Sequence, residues 1–222
     1  MLLYYITDRS QFPGDEVIRR CRLLENIAQA VRRGVDYIQL REKDLPTREL
    51  EMLAGEIMAI VRELRTGNQK LKTDVLINSR TDIAMACGAD GVHLRSNDIS
   101  APEVRKIWTQ CGVGGLARVT VGLSCHTPRE VANAAIQGAD FAVFGPVFEK
   151  RAVPNTRPTG LEALRQACRE RIPVLALGGV TAENAASCIQ AGAAGIAGIR
   201  LFQEGQSSVD VLQSSASRPS ED

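Results

Sequence analysis

The stretch "IQGADFAVF" (136–144) passes from the end of one periodicity, through a glycine, into another. Gly138 halts a helical pattern, and Phe141 to Phe144 form a short continuous apolar run of the kind buried strands carry. Three more stretches repeat that order: "RRGVDYIQL" (32–40), "ACGADGVHL" (86–94) and "QAGAAGIAGI" (190–199). Their glycines, Gly34, Gly88, Gly138 and Gly192, are separated by 54, 50 and 54 residues. A step of about 50 residues holds two strand–helix units, so four steps imply eight.

The rest of the chain fills in that frame. Apolar runs occur at 2–7, 35–40, 74–78, 91–94, 120–125, 141–146, 173–178 and 195–199. Between them lie amphipathic segments. "EVIRRCRLLENIAQAVRRG" (16–34) places Val17, Leu24, Ile27, Ala28 and Val31 at helical spacing and ends in two arginines and a glycine, a helix stop. "TPREVANAAIQG" (127–138) opens on a threonine cap with Glu130 three residues on. Eight alternations predict a single-domain α/β fold, the TIM (β/α)8 barrel, over residues 1–204. The open doubly wound sheet is the alternative, but it usually has fewer strands and lacks this echo. The Ser-rich, aperiodic segment 205–222 is expected to be a disordered tail.

Composition removes several classes of function. With 44% hydrophobic and 24% charged residues, the chain reads as an ordinary globular domain with one sizeable core. A net charge of +1 leaves no basic footprint for nucleic acid. Six scattered cysteines without a CxxC pair, and two histidines, argue against a zinc site and suggest small buried hydrophobes in a reducing compartment. "MLLYYITDRS" (1–10) has no basic leader and too short an apolar run for a membrane span, so the expected location is cytoplasmic, with no membrane partner.

In a barrel, chemistry gathers at the C-terminal ends of the strands. Reading each end in turn yields Gln39, Arg41 and Lys43; Asn78, Ser79 and Arg80; Asp98; Ser124, Cys125 and His126; "GPVFEKR" (145–151); Gly178 and Gly179; and Ile199 with Arg200. Bland readings stand beside these. Arg41 has Glu42 as a neighbour for a structural ion pair, and Asn78 has a local bond to the backbone open to it. Gly178–Gly179 suits a tight turn, but its place after the seventh run also suits phosphate binding through backbone N–H groups, with Arg200 as an added donor. His93, inside "GVHL", reads as a hydrogen-bonded core histidine. His126, just past the fifth run, is placed for acid–base work, with helix capping as the alternative. Cys125 alternates with Ser124 and His126 and should face the helices.

Five stretches together resemble the superfamily of thiamin phosphate synthase and the TenI-type thiazole tautomerase: "YYITDR" (4–9), "YIQLREKDL" (37–45), "LINSRTDIAMACGADGVHL" (76–94), "VGLSCHTPREVANAAIQGADFAVFGPVF" (121–148) and "IPVLALGGVTAENAASCIQAGAAGIAGI" (172–199). The resemblance implies a pyrimidine diphosphate near Gln39, Arg41, Lys43, Asn78 and Ser124. It puts a thiazole phosphate on Gly179, Ile199 and Arg200. Three departures from the synthase pattern stand out. One magnesium carboxylate is replaced by Ser79, leaving Asp98 as the remaining metal ligand, with Asp82 a conceivable substitute. The segment after the sixth strand loses its hydroxyls, with Lys150 or Arg151 left as the cation there. A serine at the last phosphate site becomes Arg200.

Those losses fall on diphosphate and metal handling, so the leading expectation is a tautomerase. It would need no cofactor, and His126 would move a proton to aromatise carboxythiazole phosphate. The alternative is the Mg²⁺-dependent synthase, coupling hydroxymethylpyrimidine diphosphate to thiazole phosphate. A non-catalytic binder of thiamin precursors is the third reading. Relatives also suggest a homo-oligomer.

Overall fold

The computed structural model describes residues 1–112, 118–149 and 157–204. The expectations for Lys150, Arg151 and the 205–222 tail therefore lie outside the described residues. Eight parallel strands close into a barrel in chain order, with the last paired to the first. They are β1 (Leu2–Ile6), β2 (Tyr37–Leu40), β3 (Asp74–Asn78), β4 (Gly91–Leu94), β5 (Thr120–Cys125), β6 (Phe141–Phe144), β7 (Val174–Ala176) and β8 (Gly195–Gly198). The helices that follow them in turn are α1 (Glu16–Arg32), α2 (Thr47–Gly67), α3 (Thr81–Cys87), α4 (Ala101–Gln110), α5 (Pro128–Ile136), α6 (Gly160–Ala167), α7 (Ala185–Gln190) and α8 (Arg200–Gln203). This is the (β/α)8 barrel. Five of the runs shorten by one to three residues, among them β6, which stops at Phe144, and β7, which stops at Ala176.

Strand alternation sorts the apolar residues into two cores. Leu3, Tyr5, Ile38, Leu40, Val75, Ile77, Val92, Leu94, Val121 and Cys125 face outward and pack under the helices. Tyr4, Ile6, Leu76, Phe141, Val143, Leu175 and Ala197 fill the barrel interior, with Tyr37 and Ile199 against them. Among them Tyr4 packs edge-on against Tyr37 and Phe141, which lie tilted against each other, with centroids 4.8 to 5.8 Å apart. Gly122 makes room for this: a Cβ there would sit 2.5 Å from the Phe141 ring and 3.0 Å from the imidazole of His93.

The repeated aspartate of the echo has a structural reason. The carboxylates of Asp36, Asp90 and Asp140 accept from the backbone N–H of Leu3, Val75 and Val121 at 2.7 to 2.8 Å, each bracing the start of the preceding strand. Arg65 and Arg105 hold Asp90 and Asp140 from outside, at 2.8 Å each. In the fourth repeat the position is Ala194, and only its own backbone N–H, donated to Val174 O at 2.8 Å, makes the tie.

Two sequence expectations are corrected here. The core stripe of α1 is Leu23, Ile27, Ala30 and Val31, whereas Val17 is 71% exposed, because the helix meets the barrel only after its first turn. The cysteines divide as well. Cys125 and Cys188 are buried, but Cys21 and Cys111 are exposed, so they are not core hydrophobes.

Candidate active site

From β2 to the loop after β4, one hydrogen-bonded chain of polar groups crosses the barrel mouth. Gln39, 2% exposed, donates from Nε2 to Asn78 Oδ1 at 2.8 Å. Asn78 Nδ2 in turn donates to Ser79 Oγ at 3.2 Å. Asn78 therefore ties two strands together with its side chain. Ser79 sits in the left-handed region at φ 59°, the one described non-glycine residue with positive φ. Its Oγ also accepts from Arg95 Nε at 3.0 Å. Asp98 closes the chain, accepting the Arg95 backbone N–H at 2.7 Å and its guanidinium at 3.2 Å. Burial pushes the Asp98 carboxyl up, but the hydrogen bonds from Arg95 and the Ser79 hydroxyl outweigh it and hold the pKa below the usual value. Arg95 was not singled out in the sequence. The signal available was parity, since it lies two residues beyond His93 on the same face of β4 as the chain leaves the strand.

Arg41 and Glu42 are not partners. Glu42, 4% exposed, accepts from Thr7 Oγ1 at 2.6 Å and from the Arg9 backbone and guanidinium at 3.0 and 3.1 Å. Arg9, as buried as Glu42, also grips Asp44 through two nitrogens at 2.7 and 2.9 Å. Thr7 Oγ1 then accepts the Arg41 backbone N–H at 3.0 Å, so this buried clamp fixes where Arg41 leaves β2. Burial lowers the pKa of the half-buried Arg41 guanidinium. Asp8 and Glu42 oppose the shift, and Arg95, facing the same mouth, adds to it. Lys43 is exposed in the turn that follows.

The two histidines occupy different worlds. His93 is 2% exposed, with Tyr4 Oη 3.1 Å from Nδ1 and Ser124 Oγ 2.8 Å from Nε2. Burial, with Arg41 nearby adding and Asp98 opposing, pulls its pKa down to about 3, so the ring is neutral at physiological pH. The fully buried Tyr4 phenol keeps its proton, its pKa raised by burial and then by Tyr37, with Nδ1 of His93 as its hydrogen-bond partner. In the tautomer with Nδ1 accepting from Tyr4, Nε2–H donates to Ser124 Oγ, which leaves the serine's own proton for a ligand oxygen. His126 is exposed on the rim. Its Nδ1 lies 2.6 Å from Gly145 O, and a carbonyl can only accept. In the neutral ring Nε2 is therefore the unprotonated nitrogen, available as a base. The helix-capping alternative for His126 does not involve its imidazole: α5 is capped by Thr127, whose side chain accepts from Glu130 N–H, while Glu130 accepts from His126 N–H at 2.6 Å. Cys125 faces the helices, and burial pushes its thiol up to about 12.

On the far side, Gly179 (φ 66°) packs so tightly on the loop after β6 that a Cβ would sit 2.5 Å from Glu149 O. Asn184 secures this turn, donating to Gly179 O at 3.0 Å and accepting from Thr181 N–H at 2.8 Å. Ile199 lies against the barrel interior, and Arg200 opens α8 with Glu204 3.8 Å away. Two clefts flank the Ser79–Arg95–Asp98 cluster. One of about 600 Å³ lies between α3 and the loop into α4, and one of about 280 Å³ reaches from Arg95 to Ser124.

The residues present do not fit a divalent cation. Asp98, the carboxylate expected to hold it, is engaged by a guanidinium. Asp82 is no substitute, since Arg80 chelates both its oxygens at 2.9 and 2.6 Å. Among the described residues no group of three or more carboxylate, imidazole or thiolate ligands gathers anywhere.

A closed barrel whose mouth gathers polar groups and cations has the form of a small-molecule enzyme scaffold. The family model described as thiamine monophosphate synthase matches residues 3–202, and the chain belongs to that family. The "Putative thiamine-phosphate synthase 2" of Aquifex aeolicus is 38% identical over 203 residues, covering 91% of this chain and 97% of the relative. The thiamine-phosphate synthase of Syntrophomonas wolfei is 36% identical over 197 residues, covering 88% and 85%. Among solved structures, a thiamine phosphate pyrophosphorylase from Pyrococcus furiosus superposes with a TM-score of 0.75 at 28% identity, covering 96% of this chain and 94% of that one. These names favour the synthase alternative over the tautomerase reading that led from the sequence.

Proposed function

We propose that the protein is a thiamin phosphate synthase, joining a hydroxymethylpyrimidine diphosphate to a thiazole phosphate and releasing diphosphate. The observation that carries this reading is the family match over residues 3–202. The convergence of hydrogen-bond donors on one mouth supports it. In this reaction the bond from the pyrimidine methylene carbon to diphosphate oxygen breaks, and diphosphate keeps the electron pair. The thiazole nitrogen then supplies the pair for the new carbon–nitrogen bond. Negative charge grows on the departing oxygen, so preorganised donors at that point lower the barrier.

Each residue has a part in this scheme. Gln39, locked by Asn78, orients the pyrimidine ring. Arg41 and Lys43, with the Ser124 hydroxyl, take the diphosphate, and Lys150 is the candidate cation of the next loop. Gly179, Ile199 and Arg200 hold the thiazole phosphate. Magnesium would ordinarily neutralise diphosphate in such chemistry, but the donor set around Asp98 does not offer it a place, and no step here is routed through it.

The tautomerase is the second reading, favoured by the free Nε2 of His126, whose Nδ1 is committed to Gly145 O. A paired assay separates the two. Purified protein receives the pyrimidine diphosphate and aromatic thiazole phosphate, with Mg²⁺ and again in chelator, and thiamin phosphate is measured. A second sample receives the non-aromatic carboxythiazole phosphate, and aromatisation above the spontaneous rate is measured. Thiamin phosphate formation is the expected result. Aromatisation alone would replace the proposal with the tautomerase, and binding without either product would leave the precursor-binder reading.

A further inference from the structure

We propose that Arg95 is an anion-binding residue of the site and that its guanidinium takes the place of a divalent cation, so that the phosphorylated substrate is held without metal. The inference deepens the reading of this mouth as a phosphate-binding site, and it does not depend on which of the two reactions occurs there.

Three observations meet at Arg95. Strand register puts it beside Arg41: Leu40 is level with Ile77 in β3, and Asn78 is level with His93 in β4. Arg41 and Arg95 therefore leave their strands on either side of Asn78–Ser79 and face the same opening, and the two cations act on each other electrostatically. Next, Arg95 is aimed. Nε is held by Ser79 Oγ at 3.0 Å and an Nη by Asp98 at 3.2 Å, which fixes the plane of the guanidinium while the side chain stays 54% exposed. A planar cation held on one edge and open on the other is a preorganised donor for phosphate oxygens. Lastly, the cleft that Arg95 lines continues to Ser124, whose hydroxyl is the mouth's neutral donor. That cleft also carries the carboxylates of Asp98 and Glu130 on its wall, so an anion is met at the Arg95 and Ser124 end, with Arg41 acting from across the mouth.

The same arrangement disfavours a metal. An ion binding Asp98 would have to displace a charge-assisted hydrogen bond and then sit beside Arg95, with Arg41 facing the same mouth. Ser79 contributes no charge to offset that. Its hydroxyl is used to orient Arg95 and, through Asn78, connects Arg95 to Gln39.

Direct binding of inorganic pyrophosphate tests this without requiring turnover. Calorimetry in a chelator, and again with excess Mg²⁺, is run on the wild type, Arg95→Met and Arg95→Lys. The wild type is expected to bind pyrophosphate in chelator, and Arg95→Met to bind it about tenfold or more weakly. Arg95→Lys should fall between, because it keeps the charge and loses the fork. Thermal melts of each variant check that the exposed substitution leaves the fold intact. In parallel, Mn²⁺ binding is followed by its paramagnetic resonance signal. The wild type should show no stoichiometric site, whereas Ser79→Asp combined with Arg95→Gly should gain one. Pyrophosphate binding that requires Mg²⁺, affinity unchanged in Arg95→Met, or a stoichiometric Mn²⁺ site in the wild type would each overturn the inference. Failure of the coupling assay alone would leave it standing.

Discussion

His93 shows how one buried side chain links stability to the site. Its pKa falls from 6.5 in the unfolded chain to about 3 in the fold, so the unfolded state binds more protons between those values. Stability is therefore full above the unfolded pKa and drains away as pH falls toward the folded one, by roughly 5 kcal/mol if the whole window is crossed. Denaturant melts of the wild type and His93→Gln from pH 7 to pH 4 should converge as pH falls, because glutamine has no proton to take up. Parallel curves would show that other groups govern the acid limb. Ser124 tests the other end of the relay. Ser124→Ala removes the mouth's hydroxyl donor and also strands the buried Nε2 of His93, so it should weaken pyrophosphate binding by about 1 kcal/mol and lower stability by about 1 to 3 kcal/mol. An unchanged affinity would mean that the serine only caps the imidazole.

At the scale of elements, the junction of β1 and β2 rests on a buried ion pair. Arg9 and Glu42 have side-chain exposures of 5% and 1%, and their network ends on the backbone of Arg41. Replacing Glu42 takes the most buried partner from Arg9, which keeps Asp44 and Glu16, so Glu42→Gln should cost about 2 kcal/mol. It should also weaken anion binding, since Thr7 would lose the acceptor that orients it toward Arg41. A stability loss with unchanged pyrophosphate affinity would show that Arg41 holds its place without the clamp. The turn after β7 depends on backbone shape instead. Gly179→Ala would drive a Cβ to 2.5 Å from Glu149 O at φ 66°, and the loops after β6 and β7 would have to separate. Thiazole phosphate affinity should fall in that variant while pyrophosphate affinity stays, and a loss of both would place the two anions in one site.

The whole molecule is held in register by the device that made its sequence repeat. Asp36, Asp90 and Asp140 each accept a backbone N–H from the preceding strand, so the barrel is braced at alternate junctions on its N-terminal face, far from the chemistry. Asp90→Ala should lower stability by about 2 kcal/mol, for the hydrogen bonds lost from the Val75 N–H and from Arg65, which keeps Thr73 O and Asp74. Catalytic constants should not change, because the N-terminal face of a barrel serves stability. Activity that fell in step with Asp90 loss at a temperature where the variant is folded would contradict that division.

What the sequence determined by itself was everything written in short-range pattern: eight alternating runs, the glycine that starts each repeat, and the side of each strand on which Gln39, Ser124 or Cys125 lies. Those follow from fixed periods of 2 and 3.6 residues, and they survive any detail of packing. The family was legible too, from stretches spread over nearly the whole barrel. Tertiary structure alone decided partners. Glu42 stands beside Arg41 in the chain but belongs to Arg9. Asn78 is bound by Gln39 from the neighbouring strand, 39 residues away in the chain. Asp98, read as a metal ligand, is held by Arg95, which no motif marked. A charged side chain selects its partner by distance and desolvation in three dimensions, and closing the barrel brings together groups that lie tens of residues apart in sequence.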